Sequence, residues 1–157
     1  MNVLILQHIK IEDPGYIKDL MIEDGAKLET IELDEGEKIP KDLSSFDAMF
    51  CMGGPMDTWM EKDYPWLIDE KKRIKEFVVE LKKPYLGFCL GCQLLGEVIG
   101  GKVARSEPSE IGILDIDFIR KFRKQIILIF FFCEIDIHNA NFRRSRLYNF
   151  TSNYFTQ

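Results

Sequence analysis

The sequence predicts an α/β protein built on an open, three-layer, mostly parallel sheet, and three observations carry that expectation. Short apolar runs alternate with segments of helical period between Asn2 and Ile99, and such alternation means parallel pairing with helices on both faces. Turn residues punctuate it, as where Pro14 opens a helix and Gly25 closes it. Two glycine-bearing loops, after Met52 and after Phe88, each follow a buried-type run, and in parallel sheets ligands bind beyond the C-terminal strand ends.

Taken in order, Val3 to Gln7 reads as an apolar strand, and the helix after Pro14 places Ile17, Leu20 and Met21 on one face. Leu28 to Leu33 alternates as a second strand, and Asp34 to Lys41 is an acidic, solvated connector. Phe46 to Met52 is a buried strand. Tyr64 to Leu81 reads as one long amphipathic helix, with Leu67, Ile74, Phe77, Val78 and Leu81 placed for burial and Glu70, Lys71, Lys72 and Arg73 for water. Pro84 to Phe88 is a further buried strand, Cys92 to Ile99 has helical spacing, and a last strand follows. There is no internal repeat and no interdomain linker.

A chain of 157 residues with 46% hydrophobic and 30% charged content fits one folded domain rather than a disordered segment. The N-terminal apolar stretch meets Lys10, Glu12 and Asp13 at once, so it does not read as a secretory leader, and a cytoplasmic location is expected. Cysteines at 51, 89, 92 and 133 lack disulfide-framework spacing, so free thiols are expected. The net charge of −5 argues against a nucleic-acid partner. No membrane partner is expected, because the longest apolar run is too short to span a bilayer.

The chemistry concentrates in Gly87-Phe88-Cys89-Leu90-Gly91-Cys92-Gln93. A thiol between two glycines, after a strand and before a helix, is a nucleophile elbow with cysteine in the serine's place. At such a turn the sulfur stands exposed above the sheet edge in a strained backbone, and the positive end of the helix favours thiolate over thiol. The Leu90 amide points into the same space. Gly53-Gly54-Pro55 supplies a loop in which backbone can approach a ligand closely, so the Gly54 amide is the second candidate for an oxyanion site. Cys89-Leu90-Gly91-Cys92 also fits a redox pair or half a zinc site, but one Cys-x-x-Cys does not close a four-ligand shell. Cys51 and His8 complete one only if they are neighbours, so no metal and no other cofactor is expected. Cys92 reads as a helix-packing residue, His8 as a strand-end polar group, and Trp59 and Trp66 as either pocket-shaping or packing residues.

These segments resemble the class I glutamine amidotransferases, most of all the stand-alone members similar to the amidotransferase domain of GMP synthase. Asn2 to His8 resembles the first strand, Phe46 to Pro55 the strand and oxyanion loop, and Gly100-Gly101-Lys102-Val103 the segment after the elbow helix. The resemblance covers about residues 1–117. It implies a flavodoxin-like fold with its C-terminal part incomplete. It also implies glutamine as substrate, Cys89 as nucleophile through a thioester, Gly54 and Leu90 as oxyanion hole, and Gly53 and Gln93 as substrate contacts. A synthetase partner would accept the ammonia. The family's His-Pro-Glu motif, which supplies the base and its orienting carboxylate, is absent after Asp117. Only His138 follows, with Asp136 the nearest acid, so at most a trace of glutaminase activity is expected. A gamma-glutamyl peptidase and a non-catalytic remnant that binds a ligand or partner are the alternatives.

The tail differs in kind. Residues 1–118 carry 14 Lys and Arg against 24 Asp and Glu, whereas residues 119–157 carry 7 against 2. Every glycine and proline falls at or before Gly112, and Ile126 to Cys133 is unbroken apolar sequence. Loss of turn residues where a folded α/β chain still needs loops reads as out-of-frame or unrelated sequence joined after Asp117, with a divergent C-terminal strand and helix as the alternative; residues 118–157 are either way an atypical basic tail to an incomplete domain.

Overall fold

The computed structural model describes residues 1–105; the expectations placed on the tail, on His138 and on Asp136 lie outside the described residues. β1 (Asn2–Gln7), α1 (Tyr16–Glu23), β2 (Lys27–Glu32), β3 (Ala48–Cys51), α2 (Trp66–Lys75), β4 (Tyr85–Gly87) and α3 (Leu90–Val98) follow one another, with a π-helical turn, Glu76–Glu80, prolonging α2. The four strands form one sheet in the order β2-β1-β3-β4, and each adjacent pair is parallel.

The layers follow from the two-residue period of a strand. In β1, Leu4 and Leu6 enter a core with Leu67, Ile74, Phe77 and Leu94 of the α2 and α3 side. Val3 and Ile5 point the other way, onto Met21 with Ile17 of α1 packed beside it. β1 is thus covered on both faces, and its Val3 to Leu6 stretch is fully buried. Each such side chain contributes about 1.5–3 kcal/mol of transfer free energy. Strand order reverses between β1 and β3, so the crevice for a ligand lies beyond their C-terminal ends, beside β4.

Three expectations are corrected. The segment from Tyr64 to Leu81 is not one regular helix, because the Leu81 amide reaches back five residues to the Glu76 carbonyl at 2.8 Å. That wider turn shifts the helical register, and Leu81, expected in the core, is 36% exposed. Leu20 flanks the Ile17 and Met21 stripe rather than lying in it and is 41% exposed. Glu70, expected in water, is completely buried. It stands three residues after Leu67 and four before Ile74, so helix geometry puts it on their face whatever its charge.

The chain leaves this helix through Lys82, a non-glycine residue at φ 56°. The Lys83 amide then closes on the Phe77 carbonyl at 3.0 Å, and its Nζ donates to the carbonyls of Leu43, Ser44 and Phe46. Left-handed backbone costs an L-residue about 1–2 kcal/mol that glycine avoids. Lys82→Gly is therefore expected to stabilise the protein by about 1 kcal/mol in urea unfolding; a loss of stability would contradict this account of the helix end.

Candidate active site

Register alone brings three loops to one level. Leu6, Cys51 and Gly87 lie side by side across β1, β3 and β4. Two residues beyond that row, each segment has left the sheet at its C-terminal edge, at His8, Gly53 and Cys89. The contacts agree. His8 Nδ1 lies 2.9 Å from the Gly53 carbonyl oxygen, and a Cβ placed on Gly53 would stand 3.5 Å from Cys89 Cβ. One on Gly54 would stand 3.2 Å from a Leu90 methyl. The loop after β3 therefore faces the elbow, as the sequence led us to expect.

Cys89 is exposed and immediately precedes α3 with φ 48° and ψ −107°, a conformation L-residues rarely adopt and one that stores strain at functional turns. The flanking glycines serve close approach. A Cβ on Gly87 would come within 2.7 Å of the Cys92 amide nitrogen, and one on Gly91 would strike the Cys51 carbonyl. Only bare backbone lets the first turn of α3 sit directly on β3 and β4. Cys92 is buried and donates its thiol hydrogen to the Gly87 carbonyl at 2.8 Å, the packing role expected of it. Gln93 lies half-buried in the first turn of α3.

Beneath this edge lies a polar cluster that reading the sequence missed. His8 and Glu70 are fully buried, with His8 Nε2 2.9 Å from Glu70 Oε1. The same oxygen accepts the Cys51 thiol at 3.2 Å, while Glu70 Oε2 has no partner among the described residues. A carbonyl oxygen only accepts, so His8 Nδ1 donates to Gly53, and a carboxylate at Nε2 requires a proton there as well. Burial opposes that charge, but the Glu70 hydrogen bond and charge, the Gly53 carbonyl and Glu12 outweigh it and hold the imidazole above its ordinary 6.5. Burial, reinforced by Glu70, pushes the Cys51 thiol well above 9.0. Trp66 stacks on His8 with centroids 5.4 Å apart, which makes it a packing residue beside the site, whereas Trp59 is exposed.

His8 and Cys51 are thus neighbours after all, and with Glu70 their ligand atoms lie within 4.8 Å of one another. The donor set fits a metal poorly. A ligating cysteine must be a thiolate, yet Cys51 is held protonated by burial, and the face of His8 that would ligate is already on Glu70. Glu12 is the other residue missed. Its carboxylate occupies the space where a Cβ on Gly53 would go, placing a negative charge beside the elbow.

The model of the family described as "Glutamine amidotransferase class-I" matches residues 16–125. A glutamine-hydrolyzing GMP synthase subunit of Saccharolobus solfataricus is 33% identical over 116 residues, covering 74% of this chain and 50% of that protein. The corresponding protein of Sulfolobus acidocaldarius is 30% identical over 83 residues, covering 53% and 41%. A glutamine amidotransferase from Thermotoga maritima superposes with TM-score 0.66 at 33% identity, over 70% of this chain and 47% of that one. The chain thus spans about half the length, or less, of the relatives it matches. Among the described residues no helix is long and apolar enough to cross a membrane.

Because His8 is easier to protonate in the folded state than its ordinary 6.5, its pairing with Glu70 contributes stability fully present below that value. The contribution is lost as pH rises through the folded value. Unfolding free energy is expected to fall as pH rises above histidine's ordinary 6.5 in the wild type, and to be flatter over that rise in Glu70→Gln. Stability rising over that window in a Glu70-dependent way would contradict the assignment.

Proposed function

From the premise that this chain belongs to the class I glutamine amidotransferase family, we propose that it carries the acyl-forming half of glutamine hydrolysis. Cys89 Sγ attacks the side-chain amide carbon, and the carbonyl electron pair moves onto oxygen between the Gly54 and Leu90 amides. Collapse gives a thioester and releases ammonia once the departing nitrogen is protonated. Gly53 and Gln93 line the bound glutamine. Glu12 offers its carboxylate to the ammonium group of an amino-acid substrate. The setting is the reducing cytoplasm, and a synthetase partner takes the ammonia.

The observation that carries this reading is the facing of Gly53 and Cys89 across the sheet edge, with the elbow strained at φ 48°. The base is a separate matter. His8 is the one histidine among the described residues, and Gly53 and Glu70 hold both its nitrogens, so it is not free to shuttle a proton to departing ammonia. Losing a general base costs about 10²- to 10⁴-fold.

A glutamine-analogue electrophile is accordingly expected to alkylate Cys89 first, by mass spectrometry, while ammonia release from glutamine stays at most a trace and vanishes in Cys89→Ala. Earlier modification of Cys51 or Cys92 would overturn the nucleophile. Robust ammonia release abolished by His138→Ala would instead show that residues beyond 105 rebuild the base.

A further inference from the structure

We propose that His8 is a positioning residue for the oxyanion loop: by donating Nδ1–H to the Gly53 carbonyl it fixes the Gly53–Gly54 peptide so that the Gly54 amide faces the Cys89 side. This rests on the assignment of Cys89 as nucleophile and of Gly54 as oxyanion donor.

The carbonyl that His8 engages at 2.9 Å belongs to the same peptide plane as the Gly54 N–H. In a trans peptide the two point in opposite directions. Holding the oxygen down toward the buried imidazole therefore turns the amide up, away from the core and toward the exposed edge where Cys89 stands. A Gly-Gly peptide needs such a hold. Neither residue has a Cβ to bias φ and ψ, and a flipped plane would present a carbonyl oxygen to the developing oxyanion instead of a donor.

The ring itself is fixed on three sides. Glu70 takes Nε2 at 2.9 Å, Trp66 stacks on its face at 5.4 Å between centroids, and Gly54 lies so close that a Cβ there would be 3.0 Å from His8 Cβ. Packing alone does not account for this. A buried ion pair is often no better for stability than apolar side chains of the same volume, and here one carboxylate oxygen is left without a partner among the described residues. What the pair supplies that a leucine could not is a directed donor at Gly53.

The test uses the whole chain and two probes of Cys89. The γ-(p-nitrophenyl) ester of glutamate acylates the thiolate: the S–C bond forms, the C–O bond breaks, and p-nitrophenolate leaves without needing a proton, after an oxyanion has developed. Iodoacetamide alkylates the same sulfur by displacing iodide, with no oxyanion. His8→Leu is expected to slow the nitrophenolate burst by about 10²-fold, the loss seen when one oxyanion donor is removed, while changing the iodoacetamide rate by no more than about twofold. His8→Asn, whose Nδ2–H can take the place of Nδ1–H, is expected to restore most of the lost rate. Glu70→Gln keeps the histidine but loosens its ring, and is expected to cost about 10-fold, as substitutions of residues that orient a functional group do. A thermal melt of each variant separates misfolding from mispositioning. An unchanged ester-to-iodoacetamide ratio in His8→Leu, or equal losses in His8→Leu and His8→Asn, would overturn the proposal; should His8→Leu not fold, an unchanged ratio in Glu70→Gln would do the same. No burst from Cys89 in the wild type would instead overturn the nucleophile assignment on which it rests.

Discussion

One carboxylate oxygen ties three elements together. Glu70 Oε1 of α2 accepts from His8 at the end of β1 and from Cys51 of β3, at zero exposure beneath the C-terminal edge of the sheet. Among the described residues, the rest of the contact of α2 with β1 and β3 is apolar packing, which is non-directional and tolerates sliding. This cluster does not, because hydrogen bonds inside a low-dielectric core weaken steeply with misalignment. Through His8 the constraint passes to Gly53, and through Gly53 to the space in front of Cys89. Removing Glu70 would leave His8 to choose between a buried uncompensated charge and a neutral ring.

The other half of the edge is set by proximity rather than polarity. Gly87 and Gly91 let α3 begin directly on the backbone of β3 and β4, with Cys51 and Cys92 filling the seam. That contact leaves Cys89 no relaxed conformation, and the strain at φ 48° is held because the helix behind it and the strand before it are both fixed. Cys51 sits where the two devices meet. Its carbonyl limits the approach of Gly91, and its thiol bonds Glu70. A buried, protonated Cys51 and an exposed Cys89 are therefore chemically unlike although both lie at the same end of the sheet.

The parallel sheet and the elbow were legible in the sequence because each rests on local pattern: the apolar run of β1, the glycines around Cys89, the alternation of strand and helix. The facing of Gly53 and Cys89 was legible through topology, since parallel strands bring their C-terminal loops together. Glu70 was misjudged because residue type was weighed above spacing; its position between Leu67 and Ile74 was the signal available. His8 and Glu12 carried no comparable mark. A histidine after a strand and an acid in a loop acquire their roles only when β1 pairs with β3 and α2 folds over both. The exposure of Leu81 was hidden for a different reason, because a π-helical turn has no period that apolar spacing reveals.

The most direct measurement is a structure of the protein with Cys89 alkylated by a glutamine-shaped chloromethyl ketone. The ketone oxygen of the adduct is expected at about 2.7–3.1 Å from both the Gly54 and the Leu90 amide nitrogens, with the Gly53 carbonyl still on His8. A ketone oxygen turned to solvent, or a Gly53–Gly54 peptide flipped away from His8 in the adduct, would contradict it.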